Sequence, residues 1–158
     1  MSERSSKLTA TVTRPADTTA YTAADALANA TSSPADLTFS RVPGSGRGWI
    51  IGARAVSSAN QSTKPDIDLL LFDRPPTAIA DNAAFDLTDA DLRNCLGRIA
   101  FATWESVDES SGADGNADST ANPNTPIQFQ CASLDAANRN LWALVKVMNA
   151  YTPVSAER

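Results

Sequence analysis

The sequence predicts an all-β chain folded as a β-sandwich, on three observations. Apolar and polar residues alternate with a period of two through most of the chain. Clusters of Gly, Pro, Asn and Asp cut the alternating runs into short segments. Only one stretch carries the capping pattern of a helix.

The elements follow in order. Residues 1–7 are polar and read as an N-terminal arm ahead of a single domain spanning 8–154. Leu8, Ala10 and Val12 alternate with Thr9, Thr11 and Thr13, which predicts a first strand with one face toward a core. The 21–27 segment adds an eighth strand to the seven read more directly. Leu37 and Phe39 flank Thr38 in another; Trp49, Ile51, Ala53 and Ala55 share one face of the next, with Arg54 opposite. Ile67, Leu69 and Leu71 oppose Asp66 and Asp68, and Leu70 and Phe72 make the far end apolar on both faces. Ile99, Phe101 and Thr103 form a further strand, then Ile127, Phe129 and Cys131 alternate with Gln128 and Gln130. Residues 141–148 are nearly all apolar apart from Lys146, as expected of a strand covered on both sides.

Turn chemistry separates these runs at Pro15-Ala16-Asp17, Ser33-Pro34, Pro43-Gly44-Ser45-Gly46, Lys64-Pro65, Arg74-Pro75-Pro76 and Asn138-Arg139-Asn140. For the helix, Thr88 is the N-cap, Asp91 stands at the capping-box position, and Leu87 and Leu92 hold the two positions of a hydrophobic staple. Leu92, Cys95 and Leu96 then share a face, and Gly97 is placed to stop the helix as it crosses between strands. Residues 106–125 are rich in Ser, Asp, Asn, Gly and Ala and read as a long acidic surface loop, projecting into solvent or onto a partner. About eight short strands with one short helix favour a jelly-roll-like sandwich.

Composition bounds the chemistry. Leu, Ile, Val and Phe number 30 of 158 residues, whereas Ala alone numbers 28, so the core must be thin. A net charge of −5 is too small to argue for disorder. The absence of histidine removes His-based nucleophile systems and His-ligated zinc. Thirteen scattered Lys and Arg in an acidic chain argue against nucleic acid and anionic membrane as partners. No apolar run is long enough to span a bilayer, and the opening residues do not read as a signal peptide, which predicts synthesis in a cytoplasm. Cys95 and Cys131 are expected as free thiols.

Candidate motifs favour structure over chemistry. Gly44-Ser45-Gly46-Arg47-Gly48 opens a strand, where a phosphate-cradling loop would open a helix. Asp114-Gly115-Asn116-Ala117-Asp118 starts like a calcium loop but lacks the sharp-turn Gly and the closing Glu, so no metal site is expected. Asp66 and Asp68 share a strand face and read as its wet side; no motif beside them supplies a catalytic cleft. Trp49, Trp104 and Trp142 fall on or beside strands, as packing residues or as an anchor for a subunit interface. No catalytic residue and no cofactor is expected.

Two stretches carry a family resemblance. Arg14-Pro15-Ala16-Asp17-Thr18-Thr19-Ala20-Tyr21-Thr22-Ala23-Ala24-Asp25-Ala26 resembles an N-terminal signature of tailed-phage virion proteins, in which Arg14, Pro15, Asp17, Thr18 and Tyr21 match. Leu69-Leu70-Leu71-Phe72-Asp73-Arg74-Pro75-Pro76, followed by Asp81-Asn82-Ala83-Ala84-Phe85, is similar to their central segment, with Asp81, Asn82, Ala83 and Phe85 matching. With the final strand and Tyr151-Thr152-Pro153, the similarity runs through most of the chain in order. The resembled family comprises capsid decoration, or cement, proteins.

The resemblance implies a jelly-roll subunit that forms a homotrimer on the outer face of a phage head and stabilises the major capsid protein shell. It implies no enzymatic activity, and a virion location after synthesis in the host cytoplasm. The arm, with Ser2, Glu3, Arg4 and Lys7, is a candidate capsid contact. A phage tail or baseplate component, or a host-surface carbohydrate-binding module, is the alternative, although the sequence shows no cluster of aromatics to stack on sugars.

Overall fold

The computed structural model describes residues 5–107, 117–121, 123, 126–133 and 138–158. Among them the chain forms β1 (Ala26–Leu27), β2 (Leu37–Phe39), β3 (Arg47–Ile50), β4 (Ala53–Ser57) and β5 (Ile67–Phe72). It continues with α1 (Asp89–Arg93), β6 (Cys95–Phe101), β7 (Glu105–Ser106), β8 (Ala117–Ala121), β9 (Ile127–Gln130) and β10 (Leu141–Val147). The fold is all-β with one short helix, and the pairings described below are antiparallel.

β10 organises the larger sheet. One of its edges pairs with β5 from Trp142↔Phe72 to Val147↔Ile67. Its other edge is shared: β2 covers Leu141, Trp142 and Ala143, and β1 covers Val145 and Lys146. β6 lies on the far edge of β5. Two smaller ribbons, β3–β9 and β4–β8–β7, pack over one face of this sheet. Leu71, Ile99, Phe101 and Ala143 from the sheet meet Ile127, Ile50, Ala53, Ala55 and Ala121 from the ribbons.

This division puts part of the abundant alanine to use. The β4–β8 ribbon turns small groups inward, with Ala53 opposite Ala121, Ala55 opposite Ser119 and Ser57 opposite Ala117. Small inward groups let the layers approach, so the bulky residues of one sheet fill the interior.

Several expectations are corrected. Residues 8–13 form no strand; Leu8 packs against the Val42–Cys131–Leu141 cluster and Val12 lines a small hollow, so the alternation marks buried faces without a ladder. The 49–55 strand is two strands, broken at Ile51 and Gly52. The 21–27 segment contributes β1 and two isolated bridges, from Tyr21 to Tyr151 and from Asp25 to Ala84. The strand expected at 99–103 starts earlier, at Cys95, and ends at Phe101.

Thr88 caps α1 as expected, its Oγ1 accepting from the Asp91 amide at 3.1 Å. The helix, however, ends at Asn94, and Leu92 is exposed, so no apolar helix face forms. Gly97 lies inside β6 instead of closing the helix. Leu71 pairs with Gly97 and Phe72 with Cys95, which leaves Leu96 bulged, and the φ of +152° at Gly97 suits that bulge. The helix therefore joins adjacent antiparallel strands and is not a crossover.

The 106–125 loop is also revised. Ser106 belongs to β7, and residues 117–121 form β8, with Ala117 and Ser119 buried; residues 108–116 lie outside those described. Residues 155–158, set outside the domain by the sequence reading, pack into it through buried Glu157.

Candidate functional site

Arg14 and Tyr21 of one resembling stretch and Asp81 of the other converge, although 60 and more positions separate them. Arg14, Tyr21 and Asp81 are all buried. The Tyr21 hydroxyl donates to Asp81 Oδ1 at 2.6 Å and accepts a short hydrogen bond from Arg14 Nε. Arg14 Nη2 meets Asp81 Oδ2 at 3.3 Å, and the Ala28 amide donates to Asp81 Oδ1 at 2.8 Å. The guanidinium also stands 4.7 Å from the centre of the Tyr21 ring, a cation–π contact.

Local chemistry puts each group in place. Asp17 Oδ1 accepts from the Thr19 amide at 3.0 Å, an Asx turn that aims the chain from Arg14 toward Tyr21; Asp17 also lies 3.6 Å from Arg14. Thr18 is exposed. At the other stretch the Ala83 amide donates to the Ala80 carbonyl, and Asn82 adopts φ +59°, a left-handed conformation that Asn tolerates. The turn is laced to the first stretch by Asn82 N to Ala26 O at 2.9 Å, Ala26 N to Ala83 O at 2.8 Å and Asn82 Nδ2 to Ala20 O at 3.2 Å. Phe85 lies under Lys146, whose Nζ is 5.8 Å from the ring centre.

The last residues close the same unit. Tyr151 stacks on Tyr21 with ring centres 5.1 Å apart and an interplanar angle of 4°. Arg14 N donates to the Glu157 carbonyl at 2.9 Å, and Ser57 Oγ donates to Glu157 Oε1 at 2.6 Å. Glu157 Oε2 and the Tyr151 hydroxyl are buried without a hydrogen-bond partner among the described residues.

Burial sets the electrostatics. It pushes the Tyr21 hydroxyl well above the ordinary phenol range, helped by the bond to Asp81, so Tyr21 stays a proton donor. Burial likewise raises Tyr151, with Glu157 adding to the effect. It also raises the Glu157 carboxyl, against the pull of the Ser57 hydrogen bond and of Arg14 and Lys64. Chemically, the network is a closed staple: Arg14 satisfies one carboxylate and one phenol while tying three distant segments together.

The other candidate residues lie apart from this staple. Ser2, Glu3 and Arg4 of the arm lie outside the described residues, and Lys7 is exposed. Asp68 is not wet: it is buried and accepts from Arg98 Nη1 at 2.7 Å. Asp66 serves through its backbone, which bonds to Asn149 and Met148. Of the calcium-like run, residues 114–116 lie outside the described residues, while Asp118 accepts from Arg54 Nε at 2.7 Å. Among the described residues no group of three or more Cys, Asp or Glu is placed to hold a metal ion. Cys95 and Cys131 are free thiols, both raised by burial.

The three tryptophans divide. Trp104 donates to the Pro65 carbonyl at 2.7 Å, Trp142 is half-buried in β10, and Trp49 is 60% exposed. Glu157 and Ser57 carry no sequence signal, since a lone acid and a lone serine show no periodicity. No family model, curated protein or solved structure matches the chain.

Proposed function

We propose that the chain is a structural virion protein, a capsid decoration protein that binds the outer surface of a phage head as a homotrimer and stabilises the major capsid protein shell. The observation that carries this reading is the Arg14–Tyr21–Asp81 staple. Arg14 and Tyr21 of one resembling stretch meet Asp81 of the other in it, so part of the resemblance lies in residues that hold the fold together. The reading takes the two layers as a jelly roll. Its thin core gives a physical reason for assembly, since a subunit with few large apolar side chains gains stability by burying surface against copies of itself and the shell. Three weak subunit contacts then act together through effective concentration.

The experiment has two arms. Light scattering of the purified protein is expected to give three times the 16.6 kDa chain mass. Heads assembled without the protein are expected to lose DNA at a lower temperature than heads to which it is added back. Equal heat resistance in both preparations removes the cement role.

A further inference from the structure

Residues 8–13 have the make-up of a strand and no ladder. Leu8, Ala10 and Val12 are half-buried: Leu8 packs against the cluster of Val42, Cys131 and Leu141, and Val12 lines a hollow with Leu37 and Val145. Thr9, Thr11 and Thr13 are exposed. Burial with a period of two marks an extended backbone lying on a core. Yet among the described residues no backbone–backbone hydrogen bond involves residues 7–13. The backbone is next held at Arg14, whose amide donates to the Glu157 carbonyl at 2.9 Å.

Such a segment is a template for a further strand, since its N–H and C=O groups are unpaired beside an alternating side-chain row. Exposed edges are commonly blunted by charge or proline, and residues 8–13 contain neither. Thr and Val, four of the six residues, favour strands.

The segment's own sequence selects the occupant. In an antiparallel pair, directly opposite side chains share a face, so two copies of the segment match only where inward residues meet inward ones. Centring the pair on Ala10 does this: Ala10 meets Ala10, Leu8 meets Val12, Thr9 meets Thr11, and Lys7 meets Thr13. Small residues then sit at the axis, larger apolar ones flank it, and threonines pair on the wet face, a favourable cross-strand match. The length agrees, because residues 7–13 are centred on Ala10 and end where Arg14 is already bonded. The neighbouring in-phase centre, Thr11, sets Leu8 against the buried Arg14. No like charges come opposite one another, so this contact avoids the self-repulsion expected of a chain with net charge −5.

We propose that residues 7–13 are an edge for a second copy of this chain, two subunits pairing antiparallel about a two-fold axis at Ala10. The pairing does not depend on the decoration reading. Within that reading it joins one trimer to the next, because a two-fold contact does not close a ring of three.

Amide hydrogen exchange and light scattering of the full chain, from about 20 μM to 2 mM, test it around an expected Kd of about 1 mM. At high concentration alternate amides, either those of Leu8, Ala10 and Val12 or those of Lys7, Thr9, Thr11 and Thr13, are expected to gain protection together. The solution mass is expected to rise toward twice its dilute value. T9K/T11E sets an ammonium opposite a carboxylate in this register and is expected to tighten association about three- to tenfold, whereas T9K/T11K sets like charges opposite and weakens it by a similar factor. Both positions are exposed, so dilute samples of the native chain and both variants are expected to share one far-UV circular dichroism spectrum. Amides of residues 7–13 that stay unprotected throughout the range overturn the proposal, as does protection that does not change with concentration. T9K/T11E associating no more tightly than T9K/T11K also overturns it.

Discussion

Replacing Asp81 by alanine tests the staple at its most connected atom. Oδ1 accepts from the Tyr21 hydroxyl and the Ala28 amide, and Oδ2 faces the Arg14 guanidinium at 3.3 Å. D81A therefore strands a buried cation and removes the acceptor of two buried donors. Breaking a buried ion pair from one side costs about 3–5 kcal/mol. Asp17, 3.6 Å from Arg14, offsets part of the stranded charge, and water entering the vacated space serves the two donors, so the net loss is placed at about 4 kcal/mol. For a domain of this size that corresponds to a fall in Tm of roughly 8–16 °C. Urea and thermal melts followed by circular dichroism, at one fixed protein concentration, read it directly. D81N keeps an acceptor for Tyr21 and Ala28 but loses the charge and sets an amide N–H against the Arg14 guanidinium, and is expected to cost less than D81A by about the worth of the two retained hydrogen bonds, about 1–2 kcal/mol. Because the groups act together, Y21F and D81A should lose less jointly than the sum of their separate losses. A D81A cost below about 1 kcal/mol, or strict additivity with Y21F, would refute the reasoning.

Three further outcomes are expected. Gly46 has φ +73°, and a Cβ there would stand 2.8 Å from Arg139 Cδ, whereas Gly44 at φ +71° faces open space; urea melts should show G46A costing about 1–2 kcal/mol more than G44A. The raised Glu157 carboxyl binds its proton more tightly folded than unfolded, so its contribution is present below the unfolded value and is lost as pH rises through the folded one. E157Q should accordingly raise Tm at pH 7 by a few degrees and flatten the decline of stability above about pH 4.5; an unchanged pH profile removes Glu157 as the cause. The thermal midpoint of the wild-type protein should rise with protein concentration, as linked assembly requires, and a midpoint constant over a hundredfold dilution argues for a self-sufficient monomer.

The strands legible in the sequence are those that carry bulky apolar residues. Residues 67–72 and 141–147 declare themselves because apolar runs of that length need cover on both sides. β8 was hidden because its inward residues, Ala117, Ser119 and Ala121, are small enough to look like loop composition. Residues 8–13 mislead in the opposite sense: their alternation reflects burial of Leu8 and Val12 by packing, and alternation alone does not say whether a neighbouring strand exists to bond. Thr88 and Asp91 were legible because capping is a local bond, while the helix end was not, because the pairing of Cys95 with Phe72 overrides the helical pattern of Leu92, Cys95 and Leu96. The staple was legible as a set of residues but not as a contact, since nothing local joins Arg14 to a carboxylate 67 positions away.

The stoichiometry of this chain in purified virions tests the central claim most directly. Quantitative staining or mass spectrometry of particles, referenced to the major capsid protein, measures it. The decoration reading predicts a copy number in fixed proportion to the major capsid protein, set by the threefold positions of the shell. A copy number matching the few dozen or fewer subunits of a tail or baseplate, or absence from the particle, would contradict it.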